Sequence, residues 1–208
     1  MTDWINPRTW TIGEKVTKDI MDVHVRNNLN YLKEQIDALA GVKEFDIQEA
    51  IPPLSGVNAA GIQLVESSGA GTAKPVGYEL LFDDTTDEAR IWLFRISRTV
   101  GATITLKAGY YMKGANTSKK VKFSAQLAAV SSGDTSVTAK VFATANTTNP
   151  TVPDAAGTKG ELSITMTNND SLTKGDWVCL FLQRVPSDTT NDTADGDVAV
   201  TDLELQYG

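Results

Sequence analysis

The chain has 208 residues, 41% of them hydrophobic and 22% charged, with 26 Asp+Glu against 19 Lys+Arg for a formal charge of −7. This globular balance lacks the basic face with which a general nucleic-acid binder displaces counterions from phosphate. A single Cys and a single His exclude an intrachain disulfide, a thiolate zinc site and most histidine-based metal or triad chemistry. No run approaches about 18 apolar residues, so no membrane-spanning helix is expected. The opening MTDWINPRTW also lacks the basic-then-apolar pattern of a secretion signal.

Residues 1–16 read as an extended or turned arm carrying Trp4, Pro7 and Trp10. Thr17 is a candidate N-cap and Asp19 a favourable anion in the first turn, and no Pro or Gly interrupts the chain from there to Leu39. Gly41 supplies the stop. The predicted helix, 17–40, would be a rod of roughly 34 Å. Its apolar residues Val25, Leu29, Leu32, Ile36 and Leu39 are spaced 4, 3, 4 and 3 apart. That is an a/d seam of about two and a half heptads. The flanking positions, Arg26 to Asn28, Asn30, Lys33 to Gln35 and Asp37, are polar. A helix laid on a sheet carries a wider apolar face, so the seam predicts a short coiled coil joining copies of this chain. Dimer and trimer both remain open. His24 sits beside the seam as a packing or interface residue, since no local motif places a nucleophile near it.

After Gly41 the pattern changes to alternation. The clearest strands are Lys120–Val130, Ser136–Ala145, Glu161–Thr167 and Asp176–Val185, the last so continuously apolar that it should be covered on both faces. Arg90–Ile96, Ala102–Tyr111 and Asp197–Tyr207 add three, and Glu44–Ile51, Gly61–Glu66 and Val76–Phe82 are weaker. Turn clusters separate them and no helical period intervenes, which makes residues 44–208 an all-β sandwich or barrel.

Reactive groups do not converge. Cys179 lies in the apolar run Trp177–Leu182, where an inert core thiol is expected. Two acidic clusters, Asp83-Asp84-x2-Asp87-Glu88 and Asp188-x3-Asp192-x2-Asp195-Gly-Asp197, fall in loops. Neither has the spacing of an EF-hand; solvated loop charge is the first reading and a calcium site the second. The basic residues between Arg90 and Lys122 fall on strands whose other face is apolar, so they read as a solvated face. Of Tyr110 and Tyr111 at most one can face outward to stack on a sugar, because neighbours on a strand point to opposite faces. No catalytic residue, metal or cofactor is expected.

The stretch Trp4-Ile-Asn-Pro7-Arg-Thr9-Trp10-Thr11-Ile-Gly13-Glu14-Lys-Val16-Thr17, followed by Val25-Arg-Asn-Asn-Leu29-Asn-Tyr-Leu32, resembles the opening of tailed-bacteriophage virion proteins. The ending Gly196-Asp197-Val-Ala-Val-Thr-Asp-Leu203-Glu-Leu-Gln-Tyr207 is similar to the closing strand of their heads. The resemblance implies a mainly β chain: an attachment arm (1–16), an oligomerisation helix (17–40) and a jelly-roll-like β-sandwich head (44–208). It also implies a homotrimeric fibre or appendage on the virion surface, made in the host cytoplasm. The arm of Trp4, Pro7 and Trp10 would dock on other virion proteins, and the head would meet a host surface glycan or receptor. A capsid head fibre or decoration protein is the alternative. A tailspike-like polysaccharide-degrading enzyme and a monomeric carbohydrate-binding module stand further off. Residues 1–43 hold six Lys+Arg and six Asp+Glu, so the entire −7 belongs to the β region.

Overall fold

The computed structural model describes residues 12, 13, 15, 17–38, 41–70, 73–134 and 139–208, with the backbone alone for 34–38. Trp4, Pro7, Trp10 and Leu39, and the side chain of Ile36, lie outside the described residues.

Thr17 is the N-cap: its backbone is extended and its hydroxyl accepts the Ile20 N–H at 3.4 Å. The helix that follows is not uniform. A first α turn, α1 (Lys18–Met21), passes through a π-helical turn (Asp22–Arg26) into α2 (Asn27–Ala38). The widened turn falls on Val23 and Val25, β-branched residues that crowd an α-helical turn. Asp22 ties it on both sides, to Lys18 at 2.6 Å and to Arg26 at 3.1 Å. The seam faces solvent: Val25 is 37%, Leu29 60% and Leu32 43% exposed. Among the helix side chains described, the one buried is Asn28.

Among the described residues eleven strands follow: β1 (Val42–Phe45), β2 (Asn58–Ala59), β3 (Gly61–Glu66), β4 (Val76–Phe82), β5 (Glu88–Arg95), β6 (Thr105–Met112), β7 (Phe123–Val130), β8 (Asn146–Thr148), β9 (Gly160–Thr165), β10 (Trp177–Arg184) and β11 (Val198–Gln206). They form two sheets, β3-β4-β11-β6-β9 with β1 added beside β11, and β2-β5-β10-β7-β8. Except for the hairpin-like pair β7 and β8, consecutive strands from β4 to β11 alternate between sheets. This is the double Greek key of a jelly roll. All pairs are antiparallel except β2 with β5.

The inner faces close on one core. The six-stranded sheet contributes Leu80, Phe82, Leu106, Tyr110, Met112, Ile164 and Leu205, the other Trp92, Phe123, Leu127, Leu180 and Leu182, all nearly or fully buried. Phe82 and Phe123 meet edge to face across the sheets, with centroids 5.9 Å apart.

Two strand expectations need correction. Ser136–Ala145 is not a strand in its described part: residues 140–145 are irregular, and the ladder partner of β7 is the later Asn146–Thr148. The reason is local, since Ala143 bonds Leu127 one step out of the β8 register while Phe142 folds onto Phe181. Glu44–Ile51 keeps strand only to Phe45, because the Asp46 carboxylate caps a 3₁₀ turn at Ile47–Glu49.

The junction between helix and head is held by the last residues of β11's path. The Tyr207 N–H donates to Gly41 O at 2.5 Å, and Gly101 N–H to Tyr207 O at 2.6 Å. Any Cβ at Gly41 would collide with the Gly208 backbone, so glycine is needed there for close approach.

At the opposite end, Arg184 is fully buried and forks onto Asp192, with Nε and Nη2 each 3.1 Å from a carboxylate oxygen. Its remaining N–H groups reach the carbonyls of Phe82, Ala194 and Gly196. The Asp192 carboxylate also accepts the Lys122 N–H at 3.0 Å. This pair pins the whole 185–197 loop to the sandwich.

Candidate binding surfaces

The outer face of the six-stranded sheet carries two adjoining clefts that share Asp202 and Glu204 of β11. One, about 530 Å³, lies over β6 and β9 and is lined by Lys107, Gly109, Glu161 and Ser163. The other, about 410 Å³, is bordered by Glu44, Asp46 and Tyr78. Register explains the first. Gly109 pairs with Glu161 on one side and Asp202 on the other, so two carboxylate residues flank a strand position with no side chain. β11 bulges between Val200 and Asp202, which leaves both Thr201 and Asp202 exposed. The Asp202 carboxylate then folds over the glycine, accepting its N–H at 2.9 Å and the Thr201 hydroxyl at 2.9 Å, with Lys159 at 3.5 Å. A Cβ at Gly109 would strike that carboxylate and the Lys159 stem. The cleft thus offers acceptors (Glu161, Glu204) and donors (Lys107, Ser163) side by side, the pairing that sugar hydroxyls require.

Next to it, Glu79 is buried among Gln63, Tyr111 and Lys113, all of which donate to its carboxylate. Burial alone would raise its pKa, but bonds from Lys113, Tyr111 and Gln63 together hold it below the ordinary value. Tyr110 and Tyr111 divide as their adjacency requires, Tyr110 into the core and Tyr111 outward onto Glu79, so neither is left as a free sugar platform.

The two acidic loops meet at one end of the sandwich. Carboxylate oxygens of Asp83, Asp84 and Asp197 lie within 4.8 Å of one another. An all-oxygen set of this kind can hold a hard cation such as calcium. Without one it is repulsive: burial, then the charges of Asp83 and Asp84, push the Asp197 carboxyl above its ordinary pKa. Glu88 is raised as well, first by burial, then by Asp83 and Asp197. A raised folded-state pKa means the head binds protons more tightly than the unfolded chain, so these groups favour folding as pH falls through that pKa. Asp197→Asn should therefore raise the thermal midpoint by a few degrees at pH 7 in chelator, and the gain should vanish at pH 3, as calorimetry across pH can check. The other acids of these loops are committed elsewhere. Asp192 serves Arg184, and Asp188 pairs with Lys122 at 2.6 Å, which holds its carboxyl down at about 2.

The basic residues between Arg90 and Lys122 make no common face. Arg90 reaches Ala60 O, Arg95 reaches Gly175 O, and Lys113, Lys119 and Lys122 pair with Glu79, Asp195 and Asp188. His24 lies in the π-helical turn, with Nδ1 buried. Cys179 departs from expectation: it is on the outer face of the five-stranded sheet, only part buried, with Leu93 opposite it. Burial pushes its thiol up to about 11, so it is no nucleophile at neutral pH. Sequence reasoning missed both the Gly109-floored cleft and the meeting of Asp83 with Asp197, since each depends on strand order. Among the described residues no helix is long and apolar enough to cross a membrane.

No known protein-family profile and no curated protein matches the chain. Solved structures do. The enzymatically active domain of tailspike protein 4 from bacteriophage CBA120 is similar over 78% of this chain at 10% identity and a TM-score of 0.43, although this chain spans only 20% of that one. The CBM22-1 xylan-binding domain of Xyn10C from Paenibacillus barcinonensis matches over 81% of this chain and 96% of its own, at 8% identity and a TM-score of 0.43. A family 11 carbohydrate-binding module from Clostridium thermocellum matches over 81% and 97%, at 12% identity and a TM-score of 0.43. With its two sheets and double Greek key, this chain is mainly a β-sandwich, similar in outline to carbohydrate-binding modules and to a phage tailspike domain.

Proposed function

We propose that this chain is a self-associating adhesion protein of a phage particle: a homotrimer joined through the helix, whose β-sandwich heads bind a host surface glycan. The observation that carries the reading is the exposed seam. Val25, Leu29 and Leu32 turn to solvent while the same helix buries Asn28, an arrangement that is costly for a lone chain and suited to copies around an axis. Trimerisation multiplies weak glycan contacts into avidity. The arm of Trp4, Pro7 and Trp10 would attach the assembly to other virion proteins. The role is binding rather than catalysis: the Asp202 carboxylate is taken up by Gly109, Thr201 and Lys159, whereas a hydrolytic pair needs one acid kept protonated.

Light scattering tests the assembly directly. The expected mass is about three times the 22.4 kDa of one chain. A single-chain mass at every concentration would favour a monomeric carbohydrate-binding module, the reading supported by clefts that one chain builds alone. Binding is tested on host envelope polysaccharide. Glu161→Ala and Glu204→Ala should each weaken retention about tenfold, the loss of one charged hydrogen bond, with the mass unchanged.

A further inference from the structure

An antiparallel sheet that faces water on one side should show polar residues there. The outer face of β5, β10 and β7 is instead largely apolar around Leu93 and Trp177. Leu93 is 65% exposed and Trp177 61%, and Val141 on the flanking segment is 76%. A shallow cavity of about 250 Å³ there is lined by Leu93 and Trp177 together with Val130, Lys140, Phe142 and Cys179. The register makes the patch continuous: Arg95, Trp177 and Val130 form one row across the strands, and Leu93, Cys179 and Ala128 the next. Phe181, in the row below, is already covered by Phe142. The run Trp177-Val-Cys-Leu-Phe-Leu182 reads as a strand buried on both faces, yet its first turn of outer side chains is left open by its own chain.

Two observations identify what covers it. The first is position. Lys33 of the helix shares a cavity of about 520 Å³ with Arg98 and Lys174. Arg98 is three residues beyond Arg95, and Lys174 three before Trp177, so the patch and the helix occupy the same end of the head. The second is area. The seam expected from the sequence, five apolar side chains over two and a half heptads, would cover on the order of 500 Å² per chain, against about 800 Å² per partner in a stable interface. An assembly begun by the seam needs a further apolar contact, and this face supplies one beside it.

We propose that the outer face around Leu93 and Trp177 is the head-to-head contact of the assembled protein, covered by a second copy of this chain. The proposal rests on the self-association argued above. In a closed ring the patches turn toward the axis, as the seams do, and the clefts over β6 and β9 are on the opposite sheet, free to meet a glycan.

Cys179, the only cysteine, stands in the middle of the patch and reports on it. Wild type, Leu32→Asp and Leu93→Arg, all full length, are labelled with a thiol reagent at pH 9 while light scattering reads their masses. Cys179 should react at least tenfold more slowly in assembled wild type than in the Leu32→Asp monomer. Leu93→Arg should raise the concentration needed for assembly at least tenfold with no change in thermal midpoint, since residue 93 is open to solvent in the single chain. An assembled wild type whose Cys179 reacts at the monomer's rate overturns the head contact and leaves the seam intact. A wild type of single-chain mass throughout overturns both. Protection of Cys179 only after host envelope fragments are added overturns the head contact in favour of an outside partner.

Discussion

Asp192→Ala should destabilise the head by about 3–5 kcal/mol, the usual consequence of removing one partner of a buried ion pair. Arg184 is then left as a fully buried cation with two of its five N–H groups unmatched, and the Lys122 N–H loses its acceptor too. For a domain of this size the change corresponds to a fall in thermal midpoint of roughly 10 °C. Arg184→Met should cost as much or more, because it leaves the buried Asp192 carboxylate without its counter-ion and with the Lys122 N–H alone, and the carbonyls of Phe82, Ala194 and Gly196 without their Arg184 donors. The double variant should cost clearly less than the two single costs added together, since each single variant leaves the other partner's charge buried without its counter-ion and the double variant leaves neither. Urea unfolding of the four proteins checks this. A loss under about 1 kcal/mol for Asp192→Ala would mean that the 185–197 loop opens to water and the pair is not buried.

The sheet strands were legible where alternation was clean. Gly61–Glu66 and Val76–Phe82 fall on their predicted bounds, and β7, β9, β10 and β11 begin and end within three residues of expectation. The failures share one cause. Ser136–Ala145 alternates as well as any strand, but alternation says only that one face is apolar; Phe142 uses its apolar face to cap Phe181 from above the sheet instead of joining the core. Register and strand order are equally hidden, and the candidate sites live on them. The acids Asp83 and Asp197 are far apart in sequence and meet because β4 and β11 are neighbours. Glu161 and Asp202 face each other over Gly109 because β6 lies between β9 and β11. The helix, by contrast, depends only on spacing and capping within one element, so its N-cap at Thr17 and its course to Ala38 could be read directly; its π-helical turn could not.

Leu32→Asp should dissociate the assembly. At an a/d position each copy loses about 2 kcal/mol of leucine burial, roughly 6 kcal/mol over three chains, before any cost of bringing carboxylates together at the axis. At 1.4 kcal/mol per factor of ten, the burial term alone weakens association by about four orders of magnitude. Light scattering at micromolar concentration should then give one chain's 22.4 kDa instead of three times that mass. The head should be untouched, because Leu32 is 43% exposed in the single chain and no core residue depends on it. Its thermal midpoint at matched dilution should therefore equal that of wild-type monomer. Asn30→Asp is the control: it adds the same charge two residues away, on an exposed position that points off the seam, and should leave the mass unchanged. If Leu32→Asp stays fully assembled, the seam is not what joins the copies. If both variants dissociate, net charge on the helix rather than a/d packing holds the equilibrium, and high salt should restore the assembly in both.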